Sequence, residues 1–130
     1  RNCERKKGCL SSRRYQIIGE NMAITLNLYY TGQNGSAKKF VEEMESSGVA
    51  SKIRNEKGNL GYHYFQSLDD PETILLVDSW ESQEAIDLHH ASSMMNDIAR
   101  LREKYDLHMH VERFVSDDSL PEADQQFIRN

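Results

Sequence analysis

Apolar and polar side chains alternate in Ala23–Tyr30, AITLNLYY, where Ile24, Leu26, Leu28 and Tyr30 share one face and Thr25, Asn27 and Tyr29 the other. A period of two in β-branched and aromatic residues predicts a strand. TGQNGS supplies turn residues, and Ser36 is placed to cap a helix. From there Ala37, Phe40, Val41 and Met44, and later Val49 and Ile53, follow helical spacing. Gly48 is expected to weaken or kink that helix and Gly58 to end it.

Two strand-like runs follow, LGYHYFQSL and TILLVDSW, about the turn Asp69-Asp70-Pro71. Aspartate can cap such a turn and proline sets a backbone angle in it. Leu60, Tyr62 and Tyr64 are expected to face one way, and His63 and Phe65 the other. Ile74–Val77 is apolar at successive positions, which predicts a sheet buried on both faces there. Trp80 then leads into a helix capped by Ser82, with Glu84 in its first turn and Ala85, Leu88 and His89 on one stripe. A second helical segment starts at Ser92 or Ser93 and carries Met94, Met95, Ile98 and Leu101. Leu107–Val115 reads as the last strand, with Leu107, Met109 and Val111 opposite His108 and His110.

The order β-α-β-β-α-β predicts an α+β, ferredoxin-like domain with an antiparallel sheet of four strands. Short helices can cover only one face of such a sheet. A second copy would cover the other, so a homodimer packed sheet to sheet is expected.

Composition narrows the class. The 130 residues, 38% hydrophobic, fit one domain. A net charge of -5 gives no general attraction to a polyphosphate, which speaks against a nucleic-acid partner. The longest apolar run is far short of a membrane span. Residues 1–21 are basic and Ser-rich without the apolar core of a secretion signal, and are expected to be an extension preceding a domain at 22–116, with 117–130 a polar tail. Both cysteines, Cys3 and Cys9, lie in that extension. No disulfide framework is implied, and a cytoplasmic location is the expectation.

Glu56-x-Gly58-x-x-x-Tyr62, the Asp-Asp-Pro turn, Trp80-x-Ser82-x-x-Ala85, and His89 followed by Ser92 resemble, in that order and spacing, the antibiotic biosynthesis monooxygenase family, which includes quinol monooxygenases. The likeness spans about residues 22–115. It implies a dimeric α/β-barrel association and oxidation of a small phenol, hydroquinone or polyphenol by O2 without metal or flavin. An electron-rich phenolate can itself pass an electron to dioxygen, so such a protein need only bind, deprotonate and shield its substrate. His89 becomes the expected base, since an imidazole titrates near neutral pH. Asn27 would bind substrate or oxygen, and Trp80, Tyr62, Tyr64 and Met94 would contact substrate. Family members often carry a second histidine where this chain has Met94, which leaves a non-catalytic binding or stress-response module on the same scaffold as the alternative. A haem-degrading branch has Trp at the position of His89 and an iron-binding His at that of Ala99, so this chain keeps only Asn27 of that pattern.

Each of these residues has a plainer reading. His89 can be a hydrogen-bonded core histidine, Asn27 a structural amide, and Trp80 a core indole. Tyr62 and Tyr64 can line a dimer core, which their shared face favours, and Met94 and Met95 can be core or pocket lining. His90 is expected in solvent. His108-x-His110 is at most half of a metal site, and no metal or other cofactor is expected.

Overall fold

The computed structural model describes residues 22–129. The strands are β1 (Ile24–Thr31), β2 (Asn59–Gln66), β3 (Thr73–Trp80) and β4 (His108–Val115), and the helices are α1 (Ser36–Ser46), α2 (Val49–Arg54), α3 (Gln83–His90), α4 (Met94–Lys104) and α5 (Glu122–Gln125). The four strands form one antiparallel sheet in the order β2-β3-β1-β4. This is the ferredoxin-like arrangement expected from the order of elements. The extension at 1–21, with Cys3 and Cys9, lies outside the described residues.

One face of the sheet meets the helices. Ile24 and Tyr30 of β1, Tyr62 of β2 and Leu76 and Trp80 of β3 join Phe40, Met44, Ile53, Ile86, Ile98 and Leu101 in a single core. Tyr62 is 2% exposed and packs under the helices, so its expected place in a dimer core is corrected. Tyr64 packs against the same core, with its hydroxyl 3.5 Å from that of Tyr62. The opposite face carries Thr25, Asn27 and Tyr29 beside the half-buried Leu75 and Val77, and no other described element covers it.

Several local expectations shift for identifiable reasons. Gly35, in the left-handed region at φ 78, takes the N-cap position of α1, and Ser36 is the first helical residue. The amides of Asn34 and Gly35 donate to the Glu72 carboxylate at 3.0 and 2.9 Å, an anion at a helix start where the dipole welcomes one. Gly48, at φ 87, breaks the predicted long helix into α1 and α2 rather than kinking it. A bulge between Asn59 and Gly61 throws Leu60 out of register, leaving it 58% exposed. In α3 the buried stripe is Ala85, Ile86 and His89, while Leu88 faces out. The Asp70 turn forms as expected, accepting from the Glu72 amide at 3.0 Å and the Thr73 hydroxyl at 2.6 Å.

Gly58 does more than end α2. Its φ of 87 lies where side chains are disfavoured, and an added Cβ would stand 2.5 Å from Ala85 Cβ. Its carbonyl accepts from the Glu81 amide at 2.8 Å. The chain can therefore run against the first turn of α3, which brings Glu56 beside that helix.

Candidate acid–base cavity

Ser82 accepts from the Ala85 amide at 3.1 Å and fixes the start of α3 directly after β3. His89, near the end of that helix, is turned inward and is 5% exposed. Its ring lies over Trp80 at 4.8 Å between centroids and 30° between planes. Its Nδ1 is 2.6 Å from Glu56 Oε1. A carboxylate only accepts, so Nδ1 carries the proton donated to Glu56, and Nε2 is the ring nitrogen left for a ligand.

His89 lines a cavity of about 330 Å³ between the helices and the sheet. Leu26, Leu28, Leu76, Ile86, Ile98 and Val111 make most of its wall apolar, and Tyr30, Tyr62, Asp78, Arg102 and Arg113 add polar groups. That volume sits at the lower end of the range for small-molecule sites. Asp78 is the carboxyl group in that lining whose titration is clearly perturbed. It is 5% exposed, and burial pushes its carboxyl up to about 7; the Trp80 indole leaning toward it partly opposes the rise and the Glu56 charge adds to it. Neither Asp78 Oδ1 nor Trp80 Nε1 completes a hydrogen bond. Burial also raises the phenols of Tyr62, well above the usual range, and Tyr30, to about 12, and both stay protonated at neutral pH.

The expected site residues divide. His89 and Tyr62 line the cavity, and Trp80, 0% exposed, supports it from behind His89. Asn27 does not line it: alternation along β1 sends Leu26 and Leu28 to the cavity and Asn27 to the far face, opposite Val77 and Glu112. Tyr64 and Met94 lie in or against the core outside the lining, and Met95 takes the lining position on α4. His90 is exposed yet stands at the cavity's edge, 5.7 Å from the His89 ring, rather than pointing away. His108 and His110 are exposed on the outer face, with His110 5.8 Å from the Tyr29 ring. Among the described residues no group of three His, Cys, Asp or Glu side chains is placed to hold a metal.

Sequence reading passed over Glu56 as a site residue, and also Asp78, Tyr30, Arg102 and Arg113. Asp78 had a usable signal: in TILLVDSW it shares a face with Ile74, Leu76 and Trp80, an acid where alternation demands an apolar residue. Glu56 heads the motif Glu56-x-Gly58-x-x-x-Tyr62, but nothing local ties it to His89, 33 residues away.

A ferredoxin-like sheet with a buried histidine held by a part-buried carboxylate at the wall of a small, mostly apolar cavity frames a candidate small-molecule site. The chain belongs to the antibiotic biosynthesis monooxygenase family, whose sequence profile matches residues 23–101. No curated protein matches the chain. Among solved structures it is similar to a protein from Deinococcus radiodurans provisionally assigned as an antibiotic biosynthesis monooxygenase (TM-score 0.66, 14% identity, 75% of this chain and 96% of that one). The cofactor-independent oxygenase SnoaB of Streptomyces nogalater is similar too (TM-score 0.64, 15% identity, 78% and 99%). So is a conserved Bacteroides thetaiotaomicron protein of unknown function, described as a possible oxidoreductase (TM-score 0.65, 18% identity, 74% and 99%). At these identities the likeness shows the fold. No described helix is long and apolar enough to cross a membrane.

Proposed function

We propose that the chain is a cofactor-independent monooxygenase that oxidises a small quinol, hydroquinone or polyphenol with O2. The observation that carries this reading is the His89–Glu56 pair at the wall of the cavity, an oriented base facing an apolar void. His89 Nε2 takes the phenolic proton, and Glu56 steadies the imidazolium that results. The phenolate transfers one electron to O2, and the aryloxyl radical and superoxide combine at ring carbon to form a C–O bond. The peroxide takes up a proton and its O–O bond breaks as the ring C–H proton is lost. A hydroquinone plus O2 thus becomes a hydroxyquinone plus water. Asp78, protonated for much of the time near neutral pH, is placed to hydrogen-bond the second substrate oxygen or give the peroxide its proton. The apolar wall limits water around the reactive intermediates.

The test is oxygen uptake by metal-free protein over a panel of hydroquinones, with hydroxyquinone formed in step. Binding without uptake on every member would favour the second reading, a small-molecule-binding module, for which Met94 in place of a second histidine is the supporting feature.

The reading includes a homodimer. Leu75 and Val77 are half-buried on the uncovered sheet face, and Phe65 and Phe114 are 53% and 50% exposed there. Twice the chain mass is expected in sedimentation at micromolar concentration, and a chain-sized particle would remove the dimer.

A further inference from the structure

Among the described residues, the buried side-chain nitrogens and oxygens that find no hydrogen-bond partner are Asp78 Oδ1, Trp80 Nε1 and Arg102 Nε. Asp78 and Arg102 line the cavity, and Trp80 is the ring stacked on His89. The Trp80 indole leans toward Asp78. Buried polar atoms are nearly always satisfied, so the two orphans on the cavity wall, Asp78 Oδ1 and Arg102 Nε, mark where a ligand supplies the missing partners.

The orphans differ in kind and in position. Asp78 lies in the sheet row Tyr62–Asp78–Leu26–Arg113. Arg102 reaches in from α4 toward the row of Tyr30 and Met109, its Nη1 3.6 Å from Met109 Sδ, a weak acceptor. The Tyr30 phenol feels both: the Arg102 charge opposes its rise and the Asp78 charge adds to it. Between the two ends runs the apolar row of Leu28, Leu76 and Val111. A guanidinium does not give up its proton; Arg102 is half-buried, and its Nε is shut off from water with no acceptor, which costs free energy that an anion in the cavity would recover. The ion pairs among the described residues join other cations, and none involves Arg102. Arg113 is exposed, and water can solvate its charge.

We infer that the cavity takes an aromatic acid, with a ring hydroxyl at Asp78 and His89, the ring against the apolar middle, and a carboxylate on Arg102. This rests on the reading of the cavity as an aromatic-substrate site and names the substrate class. Arg102 is then the specificity residue, offering a planar fork that suits a carboxylate better than a point charge would.

Isothermal titration calorimetry with 6-hydroxy-2-naphthoate and 2-naphthol tests it, on the wild type and on the Arg102→Met and Arg102→Gln variants. The naphthoate should bind the wild type about tenfold or more tightly than the naphthol, as a charge-assisted bond to a partly desolvated guanidinium predicts. In both variants the ratio of the two dissociation constants should fall to about one. A ratio already near one in the wild type overturns the inference, as does a ratio kept in both variants, or binding of neither ligand. The ratio is read without turnover. A naphthoate preference in a protein that consumes no oxygen would keep this inference and remove the oxygenase reading, whereas uptake on neutral hydroquinones without that preference would do the reverse.

Discussion

Replacing His89 by alanine is expected to lower oxygen uptake on the best hydroquinone by about 10²–10⁴-fold, the usual contribution of a positioned general base. The ring is 5% exposed, its Nδ1 is held by Glu56 at 2.6 Å, and the cavity begins at its surface. Removing the ring also uncovers Trp80, so His89→Gln, which keeps bulk beside the indole, serves as the companion variant. Glu56→Gln should leave the base in place but weaken its orientation and the stabilisation of its protonated form. A loss of about 10–100-fold, in the range seen for partners that orient a functional histidine, is expected in kcat with KM little changed. Full uptake by His89→Ala and His89→Gln would take the histidine out of the mechanism and leave the pair a structural tie between α3 and the segment after α2.

The second large effect is on stability as a function of pH, and it comes from Asp78. Its carboxyl titrates at about 7 in the folded protein against 3.8 for an ordinary aspartate. Between those values the folded state keeps a proton that the unfolded chain has lost. Stability is therefore unaffected below about pH 4, falls as pH rises through 7, and is fully reduced above that. A shift of this size corresponds to about 4 kcal/mol, since each unit is worth about 1.4 kcal/mol. Asp78→Asn removes the titration. The amide still lacks full partners, so a gain of about 1–3 kcal/mol at pH 8 is expected, with little change at pH 4 and a flatter profile between. Thermal melts by circular dichroism at pH 4, 6 and 8 measure it. Equal pH dependence in wild type and variant would show that Asp78 is not the group responsible. Loss of oxygen uptake in the same variant, with His89 intact, would place Asp78 in the reaction as well as in the stability profile.

The stability effect arises from a single residue on the inner face of β3. Ile74, Leu76 and Trp80 there are fully or nearly buried, and Asp78 shares their face at 5% exposure. A buried acid that weakens the fold at neutral pH is the kind of cost associated with functional sites, where perturbed groups concentrate.

Local rules carried the architecture a long way. Alternation in AITLNLYY and TILLVDSW, the Asp70 turn, the Ser82 cap and the helical stripes of α1 and α4 each appear where simple periodicity put them. The misplaced residues were those whose position is set by something other than period. Leu60 was moved by a bulge and Ser36 was displaced from its cap by a left-handed glycine. Asn27 was assigned to the site by resemblance, against the alternation that sends it to the other face of β1.

By itself the sequence determined the class of fold, the family, and His89 as the inward-facing histidine, because these depend on local periodicity, turn chemistry and motif spacing along the chain. Only the tertiary structure decided what surrounds that histidine. Glu56 reaches it because Gly58 lets the backbone run against α3, Trp80 supports it through a strand-to-helix junction, and Asp78 and Arg102 meet around the cavity from β3 and α4. The pairings come from packing between elements distant in sequence, and the raised carboxyl of Asp78 comes from the burial that this packing imposes.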